Sequence, residues 1–176
     1  MKSKKLSSLL FFASFWLGAG LLAQTESLSL APIMDATVSE ASPDNNYGTS
    51  NLALGRTSGQ AWESYLRFDL GSIPAGSVIE SVELRLRSGS TALGPIRVEQ
   101  VSAPWTEGGL TWGTKPAGTL LFEGSLDMSG TTGDLTFPQA AYTYLKDIVN
   151  GVATDRGLAL SLPSAGAEEF LALMAR

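Results

Sequence analysis

The chain has no cysteine and no histidine among its 176 residues. Without cysteine there are no disulfides, so an exported domain of this size must rest on its hydrophobic core alone. Without histidine, Ser-His-Asp triads, the common zinc sites and imidazole acid-base catalysis are all excluded. Charge is sparse, at 16% of residues, and acidic groups outnumber basic ones by 17 to 12. Nucleic acid and anionic membrane surfaces are therefore poor partners for the bulk of the molecule. A run of about 20 apolar residues, which a membrane span needs, is also lacking.

At the N-terminus, Lys2, Lys4 and Lys5 precede an apolar run from Leu9 to Leu22, and Ala23 supplies a small residue before Gln24. This is the pattern of a secretory signal peptide over residues 1–23, and it predicts a secreted, extracellular protein with no membrane attachment after cleavage. No cysteine follows to accept a lipid. Removal of the leader takes three basic residues and no acidic ones, leaving nine against seventeen. Residues 24–32 read as a linker, and residues 33–176 as one domain of ordinary size.

The pattern after Ile33 is one of short alternating segments divided by turn residues. Met34, Ala36 and Val38 alternate with Asp35, Thr37 and Ser39, and the run Ser42 to Ser50 is too rich in Pro, Asn and Gly to be anything but loop. Leu52 and Leu54 follow. In the stretch from Ala61 to Leu70, Leu66, Phe68 and Leu70 take one parity and Tyr65, Arg67 and Asp69 the other. Val78, Val82, Leu84 and Leu86 share a parity opposite Glu83, Arg85 and Arg87, and Ile96 and Val98 lie opposite Arg97 and Glu99. Gly89 to Gly94 and Ser129 to Gly133 read as connections, and Leu120, Phe122 and Leu126 as an inward set.

One segment departs from this regime. Pro138 suits a first turn, Tyr142, Leu145, Ile148 and Val149 recur at helical spacing, and Asn150-Gly151 is a stop, which predicts a short helix plugging one end of the core. Leu158, Leu160 and Leu162 predict another strand, and Phe170 to Met174 a last one. The fold class is all-β, an antiparallel sandwich or jelly roll with one short helix.

Several stretches resemble a known family when taken together. Asp35-Ala36-Thr37-Val38 with Asn46-Tyr47-Gly48, then Tyr65 to Leu70 with Ile73-Pro74, then Trp105 to Trp112 with Pro116, resemble the DNRLRE domain, also classed as carbohydrate-binding module family 96. The resemblance spans roughly residues 33 to 172. It implies a secreted β-sandwich that binds polysaccharide, with alginate-type uronate polymers as a ligand class, and no catalysis. Members usually accompany an enzyme or other surface domains and close with a Pro-initiated strand. Here either that strand is missing or Phe170 to Met174 replaces it.

Sugar rings have apolar faces that stack on exposed aromatics, while Arg grips carboxylates bidentately. Trp62, in the polar stretch Ser58 to Ser64, reads as a loop residue fit for stacking, with a lid over the core edge as the plainer role. Tyr65 and Arg67 lie on the outward face of the strand that follows, and Trp62 and Arg67 are expected side by side. Arg85, Arg87 and Arg97 also fall on outward parities. If their strands are neighbours they form a basic stripe, and the alternative is a ladder of pairs with Asp69, Glu83 and Glu99. Trp105 and Trp112 read as packing residues. No cofactor is required for folding. Asp35, Asp44 and Asn46 offer oxygens for a structural Ca²⁺, or else serve ordinary turn chemistry. No pair of carboxylates is placed in a cleft by any motif, so the chain is read as a non-catalytic polysaccharide-binding protein. The rival from another class is a structural or adhesive sandwich that joins other chains through an open sheet edge near Phe170.

Overall fold

A computed structural model describes residues 8–15, 24–87, 95–126, 132–163 and 170–173. The expectations for Lys2, Lys4, Lys5, the Gly89 to Gly94 connection, the start of the turn at Ser129 and Met174 lie outside these residues. The described chain forms two antiparallel sheets facing each other, an all-β sandwich.

The first sheet contains β1 (Ser8–Phe15), β2 (Gln24–Leu30), β6 (Val78–Arg87) and β9 (Thr132–Thr136), in the order β2-β1-β6-β9. The second contains β3 (Pro32–Ser39), β4 (Leu52–Thr57), β5 (Gln60–Phe68), β7 (Pro95–Val101), β8 (Gly118–Ser125), β10 (Leu158–Ser161) and β11 (Phe170–Leu173). Its order is β11-β4-β5-β10-β7-β8, with β3 along the other side of β5. Two departures from the sequence reading stand out. The segment expected to be a linker is strand β2 and the start of β3. Part of the segment read as a leader, Ser8–Phe15, occupies the lane of the first sheet between β2 and β6.

The core between the sheets is built by the inward parities. Leu52, Leu54, Leu66, Phe68, Ile96, Val98, Leu158, Leu160 and Leu173 from one sheet meet Val82, Leu84, Leu86 and Leu135 from the other. The helix α1 (Tyr142–Val149), preceded by a 3₁₀ turn after Pro138, sets Leu145 into the end of this core and stops at Asn150 and Gly151, whose φ is 70°. Phe170 to Leu173 does form a strand, antiparallel to β4 and at the sheet edge.

Among the described strands the register slips at three places, between Pro32 and Met34 on β3, where Ile33 is skipped, and at two bulges that overturn the expected alternation, each inserting one residue and reversing parity beyond it. Between Phe12 and Ala13 the register on β6 skips Glu80, so Ile79 packs on the core and Val78 is 55% exposed. Across β7 and β8 the register skips Leu121, so Leu121 packs on the core while Leu120, expected inside, is 44% exposed. Strand β3 departs differently, because it is buried on both faces. Thr37 turns inward, where its hydroxyl and that of Ser64 both accept the Ala53 N–H, and Ala36 and Val38 face a second, smaller core on the outside of the sheet.

Candidate functional site

The second core exists because the long connection between β7 and β8 folds back over the outer sheet face. Leu110, Trp105 and Trp112 cover Ala36, Val38, Tyr65, Val101 and Ala159. The Trp105 indole N–H donates to the Arg156 carbonyl at 2.9 Å, and its ring stands edge-on to Tyr65 with centroids 5.7 Å apart. At the far end Lys115 Nζ sits 3.5 Å from the centre of the Trp112 ring and 2.6 Å from Glu63 Oε2. Both tryptophans are packing residues, as their spacing suggested.

The covering loop is pinned by the loop between β3 and β4. The Asn46 side-chain amide donates to the carbonyls of Glu107 and Leu110, its Oδ1 accepts the Gly48 N–H, and the Gly113 N–H donates to the Pro43 carbonyl at 2.9 Å. Glu107 Oε1 in turn accepts the Asp35 N–H at 2.8 Å. Gly48 is required by contact: a Cβ there would lie 2.4 Å from the Glu107 carbonyl oxygen. The Asn-Tyr-Gly and Trp-Thr-Glu-Gly-Gly-Leu-Thr-Trp stretches are thus the two halves of one fastening. Asn46 spends its amide on that fastening, and Asp44 is exposed at the loop tip. Among the described residues no group of three His, Cys, Asp or Glu side chains could hold a metal ion.

Tyr47, between Asn46 and Gly48, is held outward by this fastening and meets Trp62. Their centroids are 5.5 Å apart and their planes tilted by 56°. Trp62 is not in a loop: it lies on β5, opposite Ser39 on one side and Gly55 on the other. Its indole N–H donates to Thr57 Oγ1 at 3.0 Å, which fixes the ring at the rim of the sandwich. The supporting β4–β5 hairpin turns through Ser58 and Gly59, with φ of 51° and 75°, the left-handed pair of a tight two-residue turn. Both rings are half-buried and belong to neither core cluster. Ser42 and Asn45, beside the Tyr47 hydroxyl, lower its pKa from the usual tyrosine value by hydrogen bonding.

The other sequence candidates do not gather here. Tyr65 is 2% exposed beneath the covering loop, with its hydroxyl donating to the Pro116 carbonyl, so it is unable to touch a polymer. Burial, and then the nearby Glu63 and Glu99 charges, push its pKa well above the ordinary tyrosine range. Arg67 is an odd number of positions from Trp62, hence on the opposite sheet face, and five residues at about 3.3 Å each put it roughly 16 Å away. It pairs with Asp155 at 3.5 Å and lines a groove of about 420 Å³ with Ile33, Asp69 and Ile148 at the other end of the strand.

The basic stripe is likewise dispersed, because β6 and β7 belong to different sheets. Arg85 makes a bidentate pair with Asp134 at 2.7 and 2.9 Å, which raises its pKa, and Arg97 lies between Glu99 and Glu123. Arg87 ends β6 opposite Thr132. The ladder alternative is the observed one, although Asp134, Glu123 and Asp155, rather than Asp69 and Glu83, supply most of the carboxylates. Asp69 instead accepts the Gly71 N–H in the following turn. Tyr47 is the residue that sequence reasoning passed over. It stood inside the motif that carried the resemblance, with nothing in the one-dimensional pattern to bring it to Trp62.

The family model described as carbohydrate-binding module family 96 matches residues 26–134, more than half of the chain. No curated protein matches it.

Proposed function

The chain belongs to carbohydrate-binding module family 96, and on that premise we propose that it is a secreted, non-catalytic module that holds polysaccharide on the Tyr47–Trp62 ring pair. The observation that carries the proposal is the pair itself. Two aromatic rings stand beyond the core at the sandwich rim, one oriented by Thr57 and the other by the Asn46 fastening. A sugar ring laid on either would exchange water for an apolar face without rearranging the protein, and preorganisation of this kind lowers the cost of binding.

Uronate polymers such as alginate are the ligand class the family resemblance favours, and their stacking faces suit the platform. Grip on their carboxylates is a lesser contribution, because Arg67, Arg85, Arg97 and Lys115 already engage carboxylates of the protein. Stacking therefore carries the proposal and charge tunes it. Attachment to an enzyme or to other surface domains would bring such a module to its polymer. A glycan array probed with the protein tests the reading. Signal on polysaccharides, with uronate polymers among them, is expected. A folded protein that binds none of them would overturn it and favour an adhesive role through the β11 edge.

A further inference from the structure

Strand β1 holds the lane between β2 and β6, yet it lies before the residues matched by the family model, whereas most of β2 falls within them. It also lies inside the segment that reads as a cleavable leader. If that leader is removed, β6 loses its neighbour along Val78–Arg85, and an unpaired row of N–H and C=O groups opens beside the fully buried Val82 and Leu84.

The register shows what fits this lane. Leu9 pairs with Leu30 on one side and Leu84 on the other, Phe11 with Leu28 and Val82, and Phe12 with Ser27 and Ser81. Leu28 and Leu30 therefore share rows, and hence parity, with Val82 and Leu84, and both already pack against the main core. Since β1 is antiparallel to both neighbours, β2 and β6 run parallel. A sideways move of one lane, about 4.8 Å, would bring Leu28 beside Val82 and Leu30 beside Leu84 with every core residue still facing the core. On the far side Thr25, Ser27 and Ser29 would stay in solvent. Only Ala31 separates β2 from β3, so the incoming strand is tethered at the Leu30 end and its closure has little entropic cost.

We propose that Ser8–Phe15 is a placeholder strand of the precursor, and that after cleavage Gln24–Leu30 moves into its lane and pairs directly with β6 from Val78 to Leu84. The mature module then has no open edge at β6.

The absence of cysteine permits a clean test. Ser27 and Ser81 lie in one row with Phe12 between them, about 9.6 Å apart across two lanes, beyond the roughly 7 Å that a disulfide can span. After closure they would be direct neighbours. The full-length S27C/S81C chain is exported, processed and oxidised, then examined by intact mass and thiol labelling. The expected product begins at Gln24, runs as a monomer and has no labelled thiol. A precursor kept intact by Ala23→Tyr, which fills the small-residue cleavage position, should keep both thiols labelled. The pair S29C/E83C, two positions along the same strands, repeats the readout should the first variant fold poorly. Two free thiols in the processed chain, a disulfide-linked dimer, or a secreted chain that retains residues 8–15 would each overturn the proposal.

Discussion

Tyr47 and Trp62, fifteen positions apart in the chain, hold their rings 5.5 Å from one another at the rim of the sandwich. Neither reaches this place independently. Tyr47 is turned outward because its neighbours Asn46 and Gly48 are fastened to the covering loop, and Trp62 is oriented by Thr57 across the hairpin. The stability of the fastening and the geometry of the platform are therefore coupled.

Gly48→Ala tests that coupling from the stability side. The added methyl would press on the Glu107 carbonyl, a backbone atom that has little room to yield. A loss of about 1–3 kcal/mol is expected, typical of overpacking. It should appear in urea titration as a lower midpoint with an unchanged slope. Full wild-type stability would mean that the two loops are not fastened at this point.

The bulges make a paired prediction. Leu84→Ala should cost roughly 2–5 kcal/mol as a cavity in the main core, whereas Leu120→Ala should stay within about 0.5 kcal/mol because that side chain is turned to solvent. Equal losses would return Leu120 to the interior and remove the bulge on β8.

Alkaline pH should unfold the protein through its buried phenols. Burial raises the pKa of both Tyr65 and Tyr144 in the folded state. A folded pKa above the unfolded one means the folded chain holds its proton while the unfolded chain releases it. Stability is therefore intact below the unfolded value of about 10 and falls above it, by up to about 1.4 kcal/mol per pH unit for each tyrosine. Denaturation followed from pH 8 to 12 should show this decline, and Tyr65→Phe should make it shallower. A decline beginning well below pH 9 would contradict the burial of these rings.

Chelation of divalent ions should leave the melting temperature unchanged, since Asn46 is engaged in the fastening, Asp44 is exposed at the loop tip, and among the described residues no group of three His, Cys, Asp or Glu side chains could hold a metal ion. A fall of several degrees after addition of a chelator, reversed by Ca²⁺, would show a stabilising ion and return Asp35 and Asp44 to the role of ligands.

Much of the fold was legible because its signal is local. The period-2 runs at Tyr65 to Leu70 and Val82 to Arg87, the turn at Ile73-Pro74 and the helix ending at Asn150-Gly151 each declare themselves within a few residues. What escaped depends on contacts distant in sequence. A bulge is not marked in the sequence it interrupts, so alternation alone puts Leu120 and Val78 inside. Tyr65 looked like an outward residue on a half-buried strand, which it would be without the loop that arrives from Trp105 to Trp112 and buries it. The expected proximity of Trp62 and Arg67 treated nearness in sequence as nearness in space, although an odd separation along a strand sends two side chains to opposite faces. For the arginines, parity was read correctly, but parity does not say which strands become neighbours.

Affinity electrophoresis of the wild type, Trp62→Ala and Arg67→Ala through gels containing alginate, pectin or a neutral glucan tests the central claim most directly. Trp62→Ala should weaken retention about 5-fold or more at both low and high salt, for a stacking contact of roughly 1 kcal/mol that salt does not screen. Arg67→Ala, which alters the far end and opposite face of β5, should leave it nearly unchanged. Undiminished retention of folded Trp62→Ala, with retention lost instead in Arg67→Ala and fading with salt, would contradict the account and move the binding site to the groove beside Asp155.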